Sequence, residues 1–290
     1  MSQLPSMRGK TAVITGANSG IGKATAIQLA KMGATIVMAC RDKGRGNAAI
    51  ADVKLASKNP EVHLLMVDLA LQASVRQFAK EFESRYRRLD VLVNNAGTIL
   101  ANREMTPDGI VTMFAVNYLS QFLLTNLLLP RLVASAPSRI VNVTSALHFR
   151  GHLDFKDIQA KKHYKSSTSY SQAKLAMVLF TYELARRLKP TGVTVNCVNP
   201  GAVASSLGRS DAGLLATVMI AANPFLTQPE EGAEGPVYLS SAPQLSNVTG
   251  QYFVKKKPEQ SSAESYDEEE AKKLWEVSAQ MTGLAPKPGK

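Results

Sequence analysis

The run Lys10-Thr11-Ala12-Val13-Ile14-Thr15 passes without a spacer into Gly16-Ala17-Asn18-Ser19-Gly20-Ile21-Gly22, and a helix-like segment follows at once. A short run of β-branched and apolar residues predicts a buried strand, so the order is strand, glycine turn, helix. Glycines at such a turn let the backbone come close to a diphosphate, and the amides and positive end of the new helix favour its charge. The spacing here is GxxxGxG. A glycine cluster alone would serve a purely conformational turn equally well. Beyond it the chain alternates, with strands expected near residues 34–40, 61–67, 89–93, 139–144, 193–199 and 250–254 and helical stretches between them. That alternation predicts an α/β chain whose parallel sheet is covered on both faces.

Tyr170 and Lys174, in Ser169-Tyr170-Ser171-Gln172-Ala173-Lys174, lie four residues apart and share one helix face, with Ser145 25 residues upstream. A phenol titrates near ~10 in water, and a neighbouring cation favours its ionised form, so the pair reads as an acid-base device. On its own the spacing also suits an exposed tyrosine beside a solvated lysine. Ser145 alone also suits a turn cap at a strand end, and Asn117 a polar residue inside a helix.

Thr15-Gly16-x-x-x-Gly20-Ile21-Gly22, Asn94-Asn95-Ala96-Gly97, Asn117, Ser145, Tyr170-x-x-x-Lys174 and Pro200-Gly201 occur in an order and spacing that resembles the short-chain dehydrogenase/reductase family, over residues 8–255. Ala39-Cys40-Arg41-Asp42, the stretch from Tyr170 to Ala176 and Lys273-Leu274-Trp275-Glu276 are most similar to its retinol dehydrogenase and WW-domain oxidoreductase branch. The resemblance implies a single Rossmann-type doubly wound parallel sheet of about seven strands, order 3-2-1-4-5-6-7. Residues 256–290 would follow as an extension with a terminal helix. It also implies hydride transfer between a nicotinamide and a carbonyl or alcohol carbon. In that scheme Tyr170 exchanges the proton on the substrate oxygen and Ser145 hydrogen-bonds that oxygen. Lys174 lowers the Tyr170 pKa and binds the nicotinamide ribose, and Asn117 helps hold a water chain. Gly16, Asn18, Ser19, Gly20, Ile21 and Gly22 would cradle the cofactor. Asp68 with Leu69 would meet its adenine, and Asn95, Ala96 and Gly97 would line the ribose side. Pro200 and Gly201 would close over the carboxamide, with Ser205 offering a hydroxyl where the family often has threonine. An enzyme is the leading expectation, and the alternative is an NADP(H)-binding regulator or scaffold with little turnover.

The cofactor is decided where the second strand ends, because the adenosine ribose lies there. An NAD-preferring chain normally places a carboxylate at that strand end, whereas this chain has Cys40 and then Arg41. A guanidinium pairs with a 2′-phosphate, which favours NADP(H) over NAD(H). Asp42 argues the other way if a one-residue shift brings its carboxylate to the ribose.

Substrate choice is expected in the segments 202–227 and 147–167. Leu214, Leu215, Val218 and Met219 have the spacing of a short apolar helix, either a lid over the nicotinamide or ordinary core packing. The lid reading points to a small hydrophobic aldehyde, ketone or secondary alcohol, with retinal-like molecules in range. Because cells usually keep NADP reduced, reduction is the expected direction.

Length and composition agree with one large domain: 290 residues, 45% of them hydrophobic. The first strand begins by about residue 10, which predicts no signal peptide or N-terminal anchor. The uncharged apolar stretch 212–228 contains Asn223 and Pro224 and falls short of the ~20 residues of a spanning helix, so a cytoplasmic protein without a transmembrane segment is expected. Net charge is +11, with clusters at Arg85/Arg87/Arg88, Lys161/Lys162/Lys165, Arg186/Arg187/Lys189 and Lys255–Lys257. Aromatic interleaving is missing from them, so no specific nucleic-acid partner is expected, while weak contact with an anionic membrane stays open. Cys40 and Cys197 fall on strands expected to lie on the order of 19 Å apart, too far for a disulfide. His63, His148, His152 and His163 show no metal-ligand spacing, and no metal is expected. Ser265-x-x-Glu268 predicts the start of the terminal helix, with Gly283 near its end. The family often pairs the helices expected near 107–130 and 168–188 across a two-fold axis, which leaves a homo-oligomer open.

Overall fold

The computed structural model describes residues 5–203 and 227–284. The parallel strands are β1 (Thr11–Thr15), β2 (Thr35–Cys40), β3 (Val62–Met66), β4 (Val91–Asn94), β5 (Ser138–Val143), β6 (Val193–Asn199) and β7 (Gln251–Val254). They form one sheet in the order β3-β2-β1-β4-β5-β6-β7, and β8 (Lys257–Glu259) adds an eighth, antiparallel strand beside β7. The expected order therefore holds, with one more strand than expected. β8 arises from a tight reversal in which Lys255 adopts a left-handed φ of 54°. Its lysine and Pro258 blunt the sheet edge.

Successive strand residues face opposite sides, and the core follows that alternation. Ala12, Ile14, Val91 and Val93 pack toward α1 (Gly20–Lys31), α2 (Lys43–Ser57) and the later helix Pro229–Ser241. Val13, Leu92, Ile140 and Val195 pack toward α3 (Gln72–Arg85), α4 (Thr112–Ala134) and α5 (Ser166–Arg187). α6 spans Pro229–Ser241 and α7 spans Glu268–Met281. Cys40 and Cys197 sit on β2 and β6 as free, buried thiols. Ser205, Leu214, Leu215, Val218 and Met219 lie outside the described residues.

Among the described residues, α4 is long and apolar enough to cross a bilayer by length and composition. Here it lies against the sheet, with Phe114, Tyr118 and Phe122 fully buried in the core. The start of α7 also differs from expectation. Its cap is Asp267, whose carboxylate accepts from the Glu270 N–H at 2.9 Å, while Ser265 belongs to a preceding 3-10 turn. Aspartate serves as well as serine at this position, and the three glutamates after it suit the helix dipole. α7 docks on α4 and α5 through Trp275, whose ring centroid lies 5.0 Å from Phe122 and 5.9 Å from Phe180. Arg187 stacks on the outer side of that indole at 4.1 Å.

Several of the basic clusters are ion-paired: Arg85 with Glu81, Arg88 with Asp90, Arg186 and Arg187 with Glu183, and Lys256 with Glu234. Asp90 is the most buried acid of these, and it also accepts from Lys10 at 3.0 Å and from the Thr11 N–H at 2.9 Å, tying β1 to β4. Burial alone would raise its pKa, but Arg88, the Thr11 N–H and Lys10 together hold it below the usual carboxylate range. Its stabilisation is therefore complete above its unfolded value near ~4 and is lost as pH falls through the lower folded value. Asp90→Ala should cost about 2–3 kcal/mol at pH 7 and much less at pH 2–3, read from urea denaturation at both pH values. An equal loss at both would contradict the ionic account.

Candidate active site

The glycine turn rests on a latch between β1 and β4. The Thr15 hydroxyl accepts from the N–H groups of Asn95 and Ala96, both at 2.9 Å, and the Asn95 amide donates to the Thr15 carbonyl at 2.8 Å. Gly16 and Gly20 have φ of +64° and +53°. A Cβ on Gly22 would stand 2.5 Å from Asn95 Nδ2 and 2.6 Å from the Gly16 carbonyl oxygen. α1 therefore starts hard against the sheet end. Its N-cap Ser19 is extended, and no acidic residue occupies its first turn. Asn18, Ser19, Gly20 and Ile21 remain half-buried. This turn fits the diphosphate of a dinucleotide: glycines that let a ligand approach the backbone at a positive helix end, with no acidic residue in its first turn.

At the end of β2, Asp42 is the N-cap of α2, and its Oδ1 accepts from the Arg45 N–H at 2.9 Å. Arg41 and Arg45 flank it, both exposed. Beneath the turn, burial pushes the Cys40 thiol up to about 11, against the Ala17 and Asn18 amides that favour its ionised form. Asp68 closes a small turn, its Oδ1 accepting from Ala70 at 2.9 Å. Leu69 is buried, its carbonyl accepting from the Ser120 hydroxyl at 2.6 Å.

α5 delivers Tyr170 and Lys174, with Nζ 5.5 Å from the phenol ring centroid. Lys174 donates to the Val143 carbonyl at 3.0 Å, and the Thr144 hydroxyl donates back to the Lys174 carbonyl at 3.1 Å, pinning α5 to the end of β5. Ser145 lies two residues past the end of β5. It caps a 3-10 turn, Ala146–Arg150, by accepting from the Leu147 N–H at 3.2 Å, and its hydroxyl also draws down the pKa of the Tyr170 phenol. Capping and phenol contact are thus combined in one side chain. Asn117 lies in a π-helical turn of α4, Ala115–Leu119. Its amide nitrogen donates to the carbonyls of Met113 and Thr98 at 2.8 Å, and its oxygen accepts from the Thr98 N–H at 3.1 Å. Engaging the carbonyl four residues back with a side chain is what a widened turn permits. After β6, Gly201 takes φ +88° beside buried Pro200, and its N–H donates to Asn199 Oδ1 at 3.0 Å.

One expectation is corrected by these surroundings. Burial pushes Tyr170 up to about 12, and the group that pulls it down is Ser145, not Lys174. The lysine is itself lowered by burial to about 8, and its proton is directed at the Val143 carbonyl. Desolvation outweighs charge pairing because both groups share the same low-dielectric pocket.

A cavity of about 610 Å³ opens beside Tyr170, lined by Ile99, Leu147 and residues Lys165, Ser166 and Ser167. Leu100 and Met113 pack against the phenol, and the Tyr164 hydroxyl holds the Leu100 carbonyl at 2.9 Å. The segment 147–167 thus supplies part of the wall. Sequence reading gave no role to the Thr15 side chain or to Gln121, whose amide donates to the Ala96 carbonyl at 2.7 Å. Their signal was only that each is a polar residue in an otherwise apolar run.

A family model described as short chain dehydrogenase matches residues 10–212. Retinol dehydrogenase 13 of Mus musculus is 44% identical over 285 residues, which cover 96% of this chain and 85% of that protein. Retinol dehydrogenase 14 of Homo sapiens is 44% identical, covering 96% and 88%. The crystal structure of an uncharacterized protein from Mycobacterium Paratuberculosis superposes with a TM-score of 0.79 at 33% identity, covering 97% of this chain and 96% of that one.

Proposed function

Because this chain belongs to the short-chain dehydrogenase family of oxidoreductases, we propose that it is an NADP(H)-dependent reductase of hydrophobic aldehydes and ketones, retinal-like molecules among them. The observation that carries this reading is a buried phenol, influenced by the Ser145 hydroxyl, standing in the wall of a largely apolar cavity. A phenol raised to about 12 is a protonated acid at neutral pH, which suits proton donation to a carbonyl oxygen and opposes the alcohol-oxidising direction. When bound, the nicotinamide supplies the hydride. Ser145 orients the substrate oxygen toward Tyr170, and Leu100, Met113 and Leu147 exclude water. Lys174, its Nζ 5.5 Å from the phenol ring centroid, and Asn117 support return of the proton from solvent. The names of the two retinol dehydrogenases support a long apolar substrate.

The NADP preference rests on Asp42 and Arg41. Asp42 spends Oδ1 on capping α2, which supports a reading in which the exposed Arg41 meets a 2′-phosphate. On α4 and α5, Trp275 of α7 packs over Phe122 and Phe180.

The test is consumption of NADPH and NADH by purified protein against aliphatic, aromatic and retinoid carbonyls. NADPH should be preferred, and Arg41→Ala should raise the KM for NADPH by about 10- to 100-fold while leaving that for NADH nearly unchanged. Saturable NADPH binding with no carbonyl reduced would overturn the reductase reading in favour of a cofactor-binding regulator.

A further inference from the structure

His148 is fully buried, and both of its ring nitrogens have backbone partners. Nδ1 lies 2.7 Å from the carbonyl oxygen of Ser145, and Nε2 lies 3.1 Å from the backbone N–H of Ser262. A backbone N–H can only donate, so Nε2 is the unprotonated nitrogen and Nδ1 carries the proton. The Ser145 carbonyl therefore receives two donors from one residue, the ring Nδ1–H and the His148 main-chain N–H at 3.1 Å. The ring packs against both Phe149 and Tyr252, centroids at 4.2 and 4.9 Å.

Ser262 is itself fixed. The Ser265 hydroxyl donates to its carbonyl at 2.6 Å, and the neighbouring Ser261 hydroxyl is 2.6 Å from both Ser265 Oγ and the Tyr182 hydroxyl on α5. A second anchor repeats the arrangement at α4. Tyr118, next to Asn117 in the π-helical turn, bonds Ser278 of α7 through its hydroxyl at 2.8 Å. The segment after β7 thus reaches the neighbourhoods of both Ser145 and Asn117.

We propose that His148 is a positioning residue through which the C-terminal segment around Ser262 orients Ser145 toward Tyr170. The link runs Ser262 N–H to Nε2, then Nδ1–H to the Ser145 carbonyl, and it fixes the peptide plane that directs the Ser145 side chain. Its kinetic consequence rests on the reductase reading above, and its geometric consequence does not.

Ser262 has φ −61°, which proline adopts, so Ser262→Pro deletes the N–H that holds Nε2 and sets the ring carbon Cδ in its place, which breaks the link by displacing the imidazole. His148→Leu removes the whole link, and His148→Asn keeps a donor for the Ser145 carbonyl. Ser262→Pro and His148→Leu should each lower kcat by about 10- to 50-fold with NADPH affinity unchanged. The double variant should be no worse than His148→Leu alone, because both break one link. His148→Asn should recover most of the loss. Independently of turnover, long-range ¹H–¹⁵N spectra should show the Nδ1–H tautomer in the wild type and its loss in Ser262→Pro. The ¹³Cζ titration of Tyr170 should move upward in the His148→Leu and Ser262→Pro variants as Ser145 leaves the phenol. Unchanged kcat and Tyr170 titration in folded His148→Leu would overturn the proposal, as would additive effects or a His148→Asn variant no better than His148→Leu. Should the wild type reduce no carbonyl, the reductase reading falls, and the tautomer and Tyr170 titration decide the positioning role alone.

Discussion

Tyr170→Phe is expected to lower carbonyl reduction by about 10²- to 10⁴-fold while NADPH affinity stays within about twofold. The change removes one oxygen and leaves the ring that Leu100 and Met113 pack against. The phenol is already desolvated, and its hydroxyl partner Ser145 keeps the Leu147 N–H as an alternative, so the fold should lose little. A large kinetic effect with an unshifted thermal midpoint would therefore locate the proton donor. The pH dependence has a definite sign. With Tyr170 raised to about 12, the acid form persists across the neutral range, so reduction gains nothing from added base. Oxidation of an alcohol needs the phenolate and should climb as pH rises. Steady-state rates in both directions from pH 6 to 9 check this. A Tyr170→Phe enzyme with near wild-type kcat would remove the tyrosine from the chemistry.

The parts of this site written in the sequence are those set by short-range spacing. Tyr170 and Lys174 share a face because both lie on α5 four residues apart, and the strand, glycine turn and helix around Gly16 follow from adjacent residues. Alternating strands and helices pointed to the parallel sheet, while its order followed from the family resemblance. What escaped depends on pairs far apart in the chain. The 114-residue separation of His148 and Ser262 leaves no local trace of their bond. The Lys174 ammonium is turned to Val143, 31 residues away, so the sign of the Tyr170 shift is set by burial that spacing does not reveal. Asn117 was visible as a residue, but the π-helical turn that holds it is formed jointly with Thr98 and Met113. The segment after β7 held β8 and the Asp267 cap, where two good capping residues, Ser265 and Asp267, stand two positions apart and only the chain path decides between them.

The same glycine turn yields the strongest structural expectation. Gly22→Ala places a methyl group 2.5 Å from Asn95 Nδ2 and 2.6 Å from the Gly16 carbonyl oxygen, where no Cβ fits. Neither neighbour yields freely. Gly16 is backbone in a turn, and Asn95 Nδ2 is bound to the Thr15 carbonyl at 2.8 Å. Relief requires either that α1 back away from β1 or that the Asn95 bond break, and both shift the amides at the start of α1. Overpacking of this kind costs about 1–3 kcal/mol or somewhat more, and NADPH affinity should fall by at least about tenfold because the diphosphate cradle moves with the helix. Gly44→Ala is the matched control. It adds the same methyl group on α2, where the nearest atom is Asp42 Oδ1 at 3.4 Å. Helix propensity there predicts a gain of up to about 0.5–1 kcal/mol. Urea denaturation and NADPH fluorescence titration of the two variants separate a steric effect at Gly22 from a general effect of replacing glycine. If Gly22→Ala matched Gly44→Ala in both measurements, α1 would have to start farther from the sheet than its contacts place it.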